Sequence, residues 1–403
     1  MARKVHSGAA LGLLLAGLGS AEGADKGEDS PWVINLRYRS AHIDTQGYAE
    51  PANANTLRVS LGYLWRIGED WSAYAEGTQV LGLFGDDYNS GANGNTHLPA
   101  ESDPPSKEIS SLWLQYANTS AQARIGRQYV NLDNQRFFTA GLWRQNPQSF
   151  DALSTLWRAT ESTTLRYLYL DEVQRAVGHD YPDPDQREWA LKGHLLHADQ
   201  VLPVGTLTGY GYFVENDTQA KYSWRTEGLR WTGSKAFGPA RLTWTVEGAK
   251  QRDWRNNPAH FVVDYHLFEL SYGWPVMSVK VGDEALGSDG RTPFSSPYGS
   301  NHSFNGWASE FKNTPIAGLD DRYVSGFGKI ATRWSWIVIA HNFFAQHDDR
   351  RYGSEIDTSL AYQLSPKWSI EVDHANYHSN GFLVSERKLW VMLEYKHGVT
   401  GGG

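Results

Sequence analysis

Leu57-Arg58-Val59-Ser60-Leu61-Gly62-Tyr63-Leu64-Trp65-Arg66-Ile67 alternates in character along almost its whole length. In an extended chain successive side chains point to opposite faces, so Leu57, Val59, Leu61, Tyr63, Trp65 and Ile67 share one face. Arg58, Ser60, Gly62 and Arg66 share the other. A strongly apolar, aromatic-ended face backing onto an arginine-bearing one, in segments that recur to the C-terminus, is the dyad period of a transmembrane antiparallel β-barrel with a polar interior.

Lipid fixes the register. An arginine or lysine facing the bilayer midplane costs about 2–4 kcal/mol, so Arg37, Arg39, Arg58 and Arg66 point into the lumen and leave Ile34, Leu36 and Tyr38 to the lipid. The same reasoning turns Gln122 and Arg124 inward against Ala121, Ala123 and Ile125. It turns Thr164 and Arg166 inward against Leu165, Tyr167 and Tyr169. Arg241, Thr243, Thr245 and Glu247 likewise oppose Leu242, Trp244 and Val246, and Lys388, Glu394 and Lys396 oppose Leu389, Val391, Leu393 and Tyr395.

Connections alternate in length. Short turns are predicted at 68–70, 118–120, 160–162, 199–203, 233–238, 273–275, 333–335 and 365–367. Longer polar loops are predicted at 44–55, 85–106, 131–149, 172–186, 215–222, 251–259, 284–321, 347–353 and 378–386. The pattern gives about 18 strands, with both termini on the side of the short turns, which is the periplasm in bacterial outer-membrane barrels. Trp65, Trp71, Trp157, Trp231, Trp274, Trp334, Trp336 and Trp368 sit beside those turns and read as an aromatic girdle. A soluble sandwich or propeller would not require so regular an asymmetry between short and long connections.

Residues 1–23 carry Arg3 and Lys4, an apolar stretch from Ala9 to Leu18, and then small residues, the layout of a secretory signal peptide. Residues 24–403 then form a single barrel domain. No later run reaches the apolar length of a membrane helix. Without residues 1–23 the chain holds 35 basic and 44 acidic side chains, a formal charge of −9, so the basic footprint of a nucleic-acid binder is absent. The absence of cysteine excludes a disulfide framework.

Fixed cations in a narrow, low-dielectric passage attract anions. The inward arginines therefore suggest an anion-selective channel, with the negative charge placed largely in loops such as 85–87, 180–185 and 347–349. The competing reading is a non-selective porin whose lumen also carries Glu76, Glu247 and Asp373. An outer-membrane barrel enzyme of lipase or protease type would need a nucleophile, a base and an orienting group on adjacent strands. His341 and His347 share a face and His374 follows Asp373, but spacing fixes no Ser–His pair. Neither these histidines nor the acidic stretch 282–290 has metal-ligand spacing, and no cofactor is expected. The long loop 284–321 could cover the pore or meet a partner.

Two stretches carry a resemblance. Arg124-Ile125-Gly126-Arg127-Gln128-Tyr129-Val130-Asn131-Leu132-Asp133-Asn134-Gln135-Arg136-Phe137-Phe138, continuing through Trp143-Arg144-Gln145-Asn146-Pro147-Gln148-Ser149-Phe150-Asp151-Ala152, resembles the signature of the alginate export family of outer-membrane porins. Asn313-Thr314-Pro315-Ile316-Ala317-Gly318-Leu319-Asp320-Asp321-Arg322-Tyr323 is similar to a later segment of that family. The resemblance implies an 18-stranded barrel, not an enzyme, whose basic lumen conducts an acidic polysaccharide of uronates. Arg127, Arg136 and Arg144 are the motif arginines, with Asp151 holding one of them in place. Together with Arg37, Arg39, Arg58, Arg66, Arg124 and Arg166 they form the expected substrate-binding set. Two details stay open: strict alternation puts Arg127 beside Ile125 on the lipid side at the outer end of its strand, and the arginines could instead anchor an inward-folded loop 131–149 to the wall. The expected partners are outer-membrane lipid, the acidic saccharide, and periplasmic components that feed or drain a passive pore.

Overall fold

The computed structural model describes residues 30–398 apart from residue 301; the predicted signal peptide lies outside the described residues. The strands are β1 (Trp32–Thr45), β2 (Ala52–Ile67), β3 (Trp71–Gly82), β4 (Ser106–Ala117), β5 (Ala121–Gln128), β6 (Ser149–Arg158), β7 (Thr163–Gln174), β8 (Glu188–Leu202) and β9 (Gly205–Asn216). They continue as β10 (Trp224–Phe237), β11 (Ala240–Asp253), β12 (Val262–Gly273), β13 (Met277–Leu286), β14 (Leu319–Lys329), β15 (Trp334–Phe344), β16 (Arg351–Gln363), β17 (Trp368–Ser379) and β18 (Glu386–His397). Each pairs antiparallel with its neighbours in sequence, and β1 pairs with β18 to close an 18-stranded barrel. Closure leaves no sheet edge, the condition for placing backbone amides in hydrocarbon.

The register follows the lipid argument. Along β1, Val33, Asn35, Arg37, Arg39 and Ala41 are buried inward while the residues between them face out. In β2, Thr56, Arg58 and Ser60 are inward and Leu61 and Trp65 are exposed. Trp32, Trp65, Trp71, Trp157, Trp231, Trp274, Trp334 and Trp368 are exposed beside the short turns. Several lean on a tyrosine across the ladder, as Trp71 on Tyr116, Trp334 on Tyr362 and Trp368 on Tyr395. They form the girdle, which gains Trp32 beyond the expected residues, while Trp336 is only partly exposed. Three turn predictions shift: the β8–β9 turn is at 203–204, the β10–β11 turn at 238–239 and the β14–β15 turn at 330–333, because backbone pairing runs on further than the turn residues suggested.

Tryptophan has a second use. Trp113, Trp189, Trp224 and Trp390 are on the inner face, and Trp307 lies in a loop, all buried. Trp189, Trp224, Trp307 and Trp390 belong to a core inside the barrel, built where the connections 83–105, 129–148 and 287–318 fold inward, whereas Trp113 packs in a smaller cluster with Val33 and Tyr74. Phe138 stacks on Tyr298 with ring planes 1° apart and meets Tyr212 edge-on at 5.2 Å. Trp143 stacks on His302 at 3.7 Å, with Trp390 edge-on to both. Gly299 allows the two larger loops to touch, since a Cβ there would lie 1.9 Å from the Arg136 carbonyl oxygen.

Val391, midway along the outward face of β18, tests the register. Val391→Arg should lose roughly 2–4 kcal/mol of stability in reversible urea unfolding from lipid vesicles, whereas Thr245→Arg on the inner face should lose under about 1 kcal/mol.

Candidate functional site

Inside the barrel, three wall arginines meet one loop segment. Arg37 donates from Nη1 to the carbonyl oxygens of Leu142 (2.9 Å) and Trp143 (3.2 Å). Arg39 donates to Trp143 O at 3.0 Å, and Arg58 reaches Leu142 O and Arg144 O at 3.3 and 3.2 Å. Arg58 also donates from Nε and Nη2 to Asn35 Oδ1 at 2.9 and 2.6 Å, and carboxylates meet all three arginines. Glu394 on β18 accepts from Arg37 at 2.8 Å and Arg58 at 3.2 Å, and Arg39 pairs with Asp103 and, at 3.5 Å, with Glu101. Burial would raise the Glu101 carboxyl, but Arg39, Lys388 and Arg144 more than offset it and hold it below its ordinary range.

Arg136 is locked more tightly. It lies 2.8 Å from Glu284 on β13, with both side chains almost wholly buried, and donates to Asn305 Oδ1 at 3.0 Å and Ser300 O at 3.3 Å. It therefore pins loop 129–148 to loop 287–318 and to the wall. Arg144 is freer: its side chain keeps 29% of its exposure, with a 3.4 Å bond to Ser102 O and Glu101 4.0 Å away.

The other predicted residues scatter. Arg124 points inward, stacked 4.3 Å over Trp113 and bonded to Gln115 Oε1 at 2.6 and 2.9 Å. Arg166 also points inward, toward Asp199 at 3.0 Å. Arg66 has inward parity but stands exposed at the short-turn end of β2. Arg127 and Asp151 do not face the lumen. They pair across β5 and β6 in register with exposed Leu112, at 2.7 and 2.8 Å, beside Glu172 at 3.9 Å. Their place is the outer wall near the loop end, where the strict period of β5 puts them; neighbouring carboxylates and the rim make the charge affordable there.

The lumen holds more carboxylates than Glu76, Glu247 and Asp373, the three expected there. Glu284, Asp321, Glu355, Asp357, Asp373 and Glu386 are buried on the inner face of β13–β18. The lumen thus has an arginine-bearing arc on β1, β2 and β5 and a carboxylate-rich arc on β13–β18, which the β1–β18 pairing brings side by side. His341 belongs to the acidic side: Nδ1 is 2.9 Å from Asp321 and Nε2 3.5 Å from Asp357. Asp373 faces the lumen while His374 faces out. Among the described residues no cluster of three or more histidines and carboxylates is arranged to hold a metal ion.

Residues 34–292 match the family model described as "Alginate export". The chain belongs to the alginate export family. No curated protein sequence matches it. Its fold is similar to that of outer-membrane protein OpdK from Pseudomonas aeruginosa, at TM-score 0.69 and 13% identity over 91% of this chain and 98% of that one. OccK9 (OpdG) of the same organism gives TM-score 0.71 at 14% identity, covering 92% and 99%. OccAB4 of Acinetobacter baumannii gives 0.71 at 11% identity, covering 91% and 97%. This member of the alginate export family is a passive outer-membrane channel of a Gram-negative bacterium, not an enzyme.

Sequence reasoning missed Arg175 and Glu284, which complete the loop anchors. Arg175 donates to Pro297 O at 2.5 Å and Gln148 Oε1 at 3.1 Å, lying 4.0 Å over Trp189. Arg175 follows β7 directly, so its inward reach had no periodic signal. Glu284 lies on the inward face of β13, but nothing in its own strand marks Arg136 as its partner.

Two outcomes follow from the anchors. Arg136→Ala leaves Glu284 buried without its cation, a loss of about 3–5 kcal/mol confined to the loops, so single-channel conductance and protease cutting in 129–148 should both rise. In loop 287–318, burial and then the facing Glu386 push the Glu310 carboxyl up to about 8, against the opposite pull of Lys388. A raised carboxyl favours the packed loop fully below about pH 4.5 and loses that contribution as pH rises through 8. Channel noise should therefore grow between pH 6 and 9 in the natural protein, and Glu310→Gln should flatten that dependence.

Proposed function

We propose that this channel prefers anions and conducts acidic saccharides of the uronate type. Arg144, Arg124, Arg166 and Arg66 present guanidinium groups to the passing carboxylate, and Arg37, Arg39, Arg58 and Arg136 hold the inward loop 129–148 in place. Arg127 and Asp151 act on the outer wall and have no part in the passage. The observation that carries this reading is Arg144: it sits beside the segment gripped by the wall arginines, half-exposed, with a long bond and a distant carboxylate. A guanidinium with donors to spare meets a carboxylate through charge-assisted, bidentate bonds.

The inward loops favour short substrates. Stacked aromatic rings such as Phe138 and Tyr298 occupy the interior, which argues for monomers or short oligomers over a long polymer. This supports a second substrate class, other small carboxylates. OpdK has been solved with vanillate, an aromatic carboxylate.

Planar bilayers under a salt gradient test the reading, with trigalacturonate, vanillate and neutral maltotriose added in turn. An anion-selective reversal potential with block by one of the acids is expected. Arg144→Ala and Arg124→Ala should lower the anion-to-cation permeability ratio by roughly twofold to fivefold. A cation-selective reversal potential with no block by either acid would sink the proposal.

A further inference from the structure

The outer wall carries a cationic cluster that the pore does not use. Arg225 on β10 and Arg252 on β11 are direct cross-strand partners. Both face out, because their neighbours Trp224, Thr226 and Gln251 are buried inward. Like charges placed directly opposite in a ladder repel. Arg255, exposed in the loop after β11, adds a third charge, and Trp254 lies between, with Arg225 and Arg255 over its ring at 5.6 and 5.0 Å.

Carboxylate compensation here is thin. Glu227 is 4.0 Å from Arg252, and Lys250 in the next row already holds Asp264 at 2.8 Å. Arg225 Nε is buried without a hydrogen-bond partner, which leaves a donor unpaid for its lost water. Three other outward rim arginines are matched by carboxylates: Arg127 by Asp151, Arg322 by Asp320 and Arg387 by Asp44.

Position names the counter-charge. Further down the same strands stand exposed Leu229 and Val246, with exposed Phe268 across the ladder on β12, so the cluster sits at the upper edge of the apolar belt, where outer-leaflet headgroups lie. Beside it a shallow groove of about 590 Å³ runs down the outer wall, lined by Trp157, Leu165, Leu196, Ala198, Gly209 and Gly211. Its glycines are the cross-strand partners of Glu227 and Leu229 on β10.

We propose that Arg225, Arg252 and Arg255 bind a phosphate of an outer-leaflet phosphoglycolipid of the lipid A type, with an acyl chain lying in the glycine-floored groove. Planar guanidinium forks match phosphate oxygens two at a time, and the phosphate relieves the repulsion between the paired arginines. The lipid is thereby a fixed neighbour of β9–β11.

Native mass spectrometry of the detergent-solubilised barrel, titrated with lipid A, dephosphorylated lipid A or inorganic phosphate, tests this. The natural protein should retain lipid A, and the triple variant Arg225→Gln/Arg252→Gln/Arg255→Gln should retain it about tenfold less. Arg127→Gln should leave retention unchanged. Heat-modifiable gel migration checks that each variant is folded; should the triple variant fail to fold, Arg252→Gln alone should weaken retention about threefold. Equal retention in the folded variants overturns the site. Equal binding of dephosphorylated lipid A would assign the lipid to the groove alone, and inorganic phosphate binding as tightly as lipid A would make this a free-phosphate site; either result overturns the proposal.

Discussion

Hydrocarbon tolerates neither an unpaired backbone amide nor an uncompensated charge, and the whole molecule is arranged around that intolerance. Backbone pairing closes β1 onto β18. Charge is driven to two places, the lumen and the rim. The inner wall consequently becomes crowded with ionised groups that must satisfy one another in confined space, and the loops are recruited to do it.

That recruitment gives the interior its shape. Loop 129–148 is held by carbonyl oxygens accepting from Arg37, Arg39 and Arg58 and by the buried Arg136–Glu284 pair. A buried ion pair contributes little net stability against an apolar replacement, but removing one partner is costly. The arginines therefore fix the loop's position more than they strengthen the barrel, which the ladders already hold. Of the motif arginines on loop 129–148, Arg144 is the one this scaffold leaves least engaged, with a 3.4 Å bond to Ser102 O and Glu101 4.0 Å away.

The barrel was legible in the sequence because lipid imposes a rule of period two that each strand obeys separately. Arg58 against Leu57 and Val59 reports its own direction, and so does Arg127, whose outward position the period indicates against the expectation of a lumen ligand. The girdle tryptophans were readable for the same reason. Loop residues obey no such rule: Trp307 and Tyr298 look like any aromatic residues in a long extracellular connection until the barrel surrounds them. The acidic side of the lumen was hidden differently. Glu355 and Asp357 alternate with Ile356 as clearly as any pair, but only the ring order of 18 strands gathers them with Asp321 and Glu284.

Arginines on β1, β2 and β5 and carboxylates on β13–β18 also make the inner wall uneven around its circumference. The electric field inside therefore has a component across the pore as well as along it. An acid of the proposed kind, with a carboxylate at one end and hydroxyls at the other, would be turned as it descends, and mirror-related sugar acids of equal size and charge would meet such a wall differently.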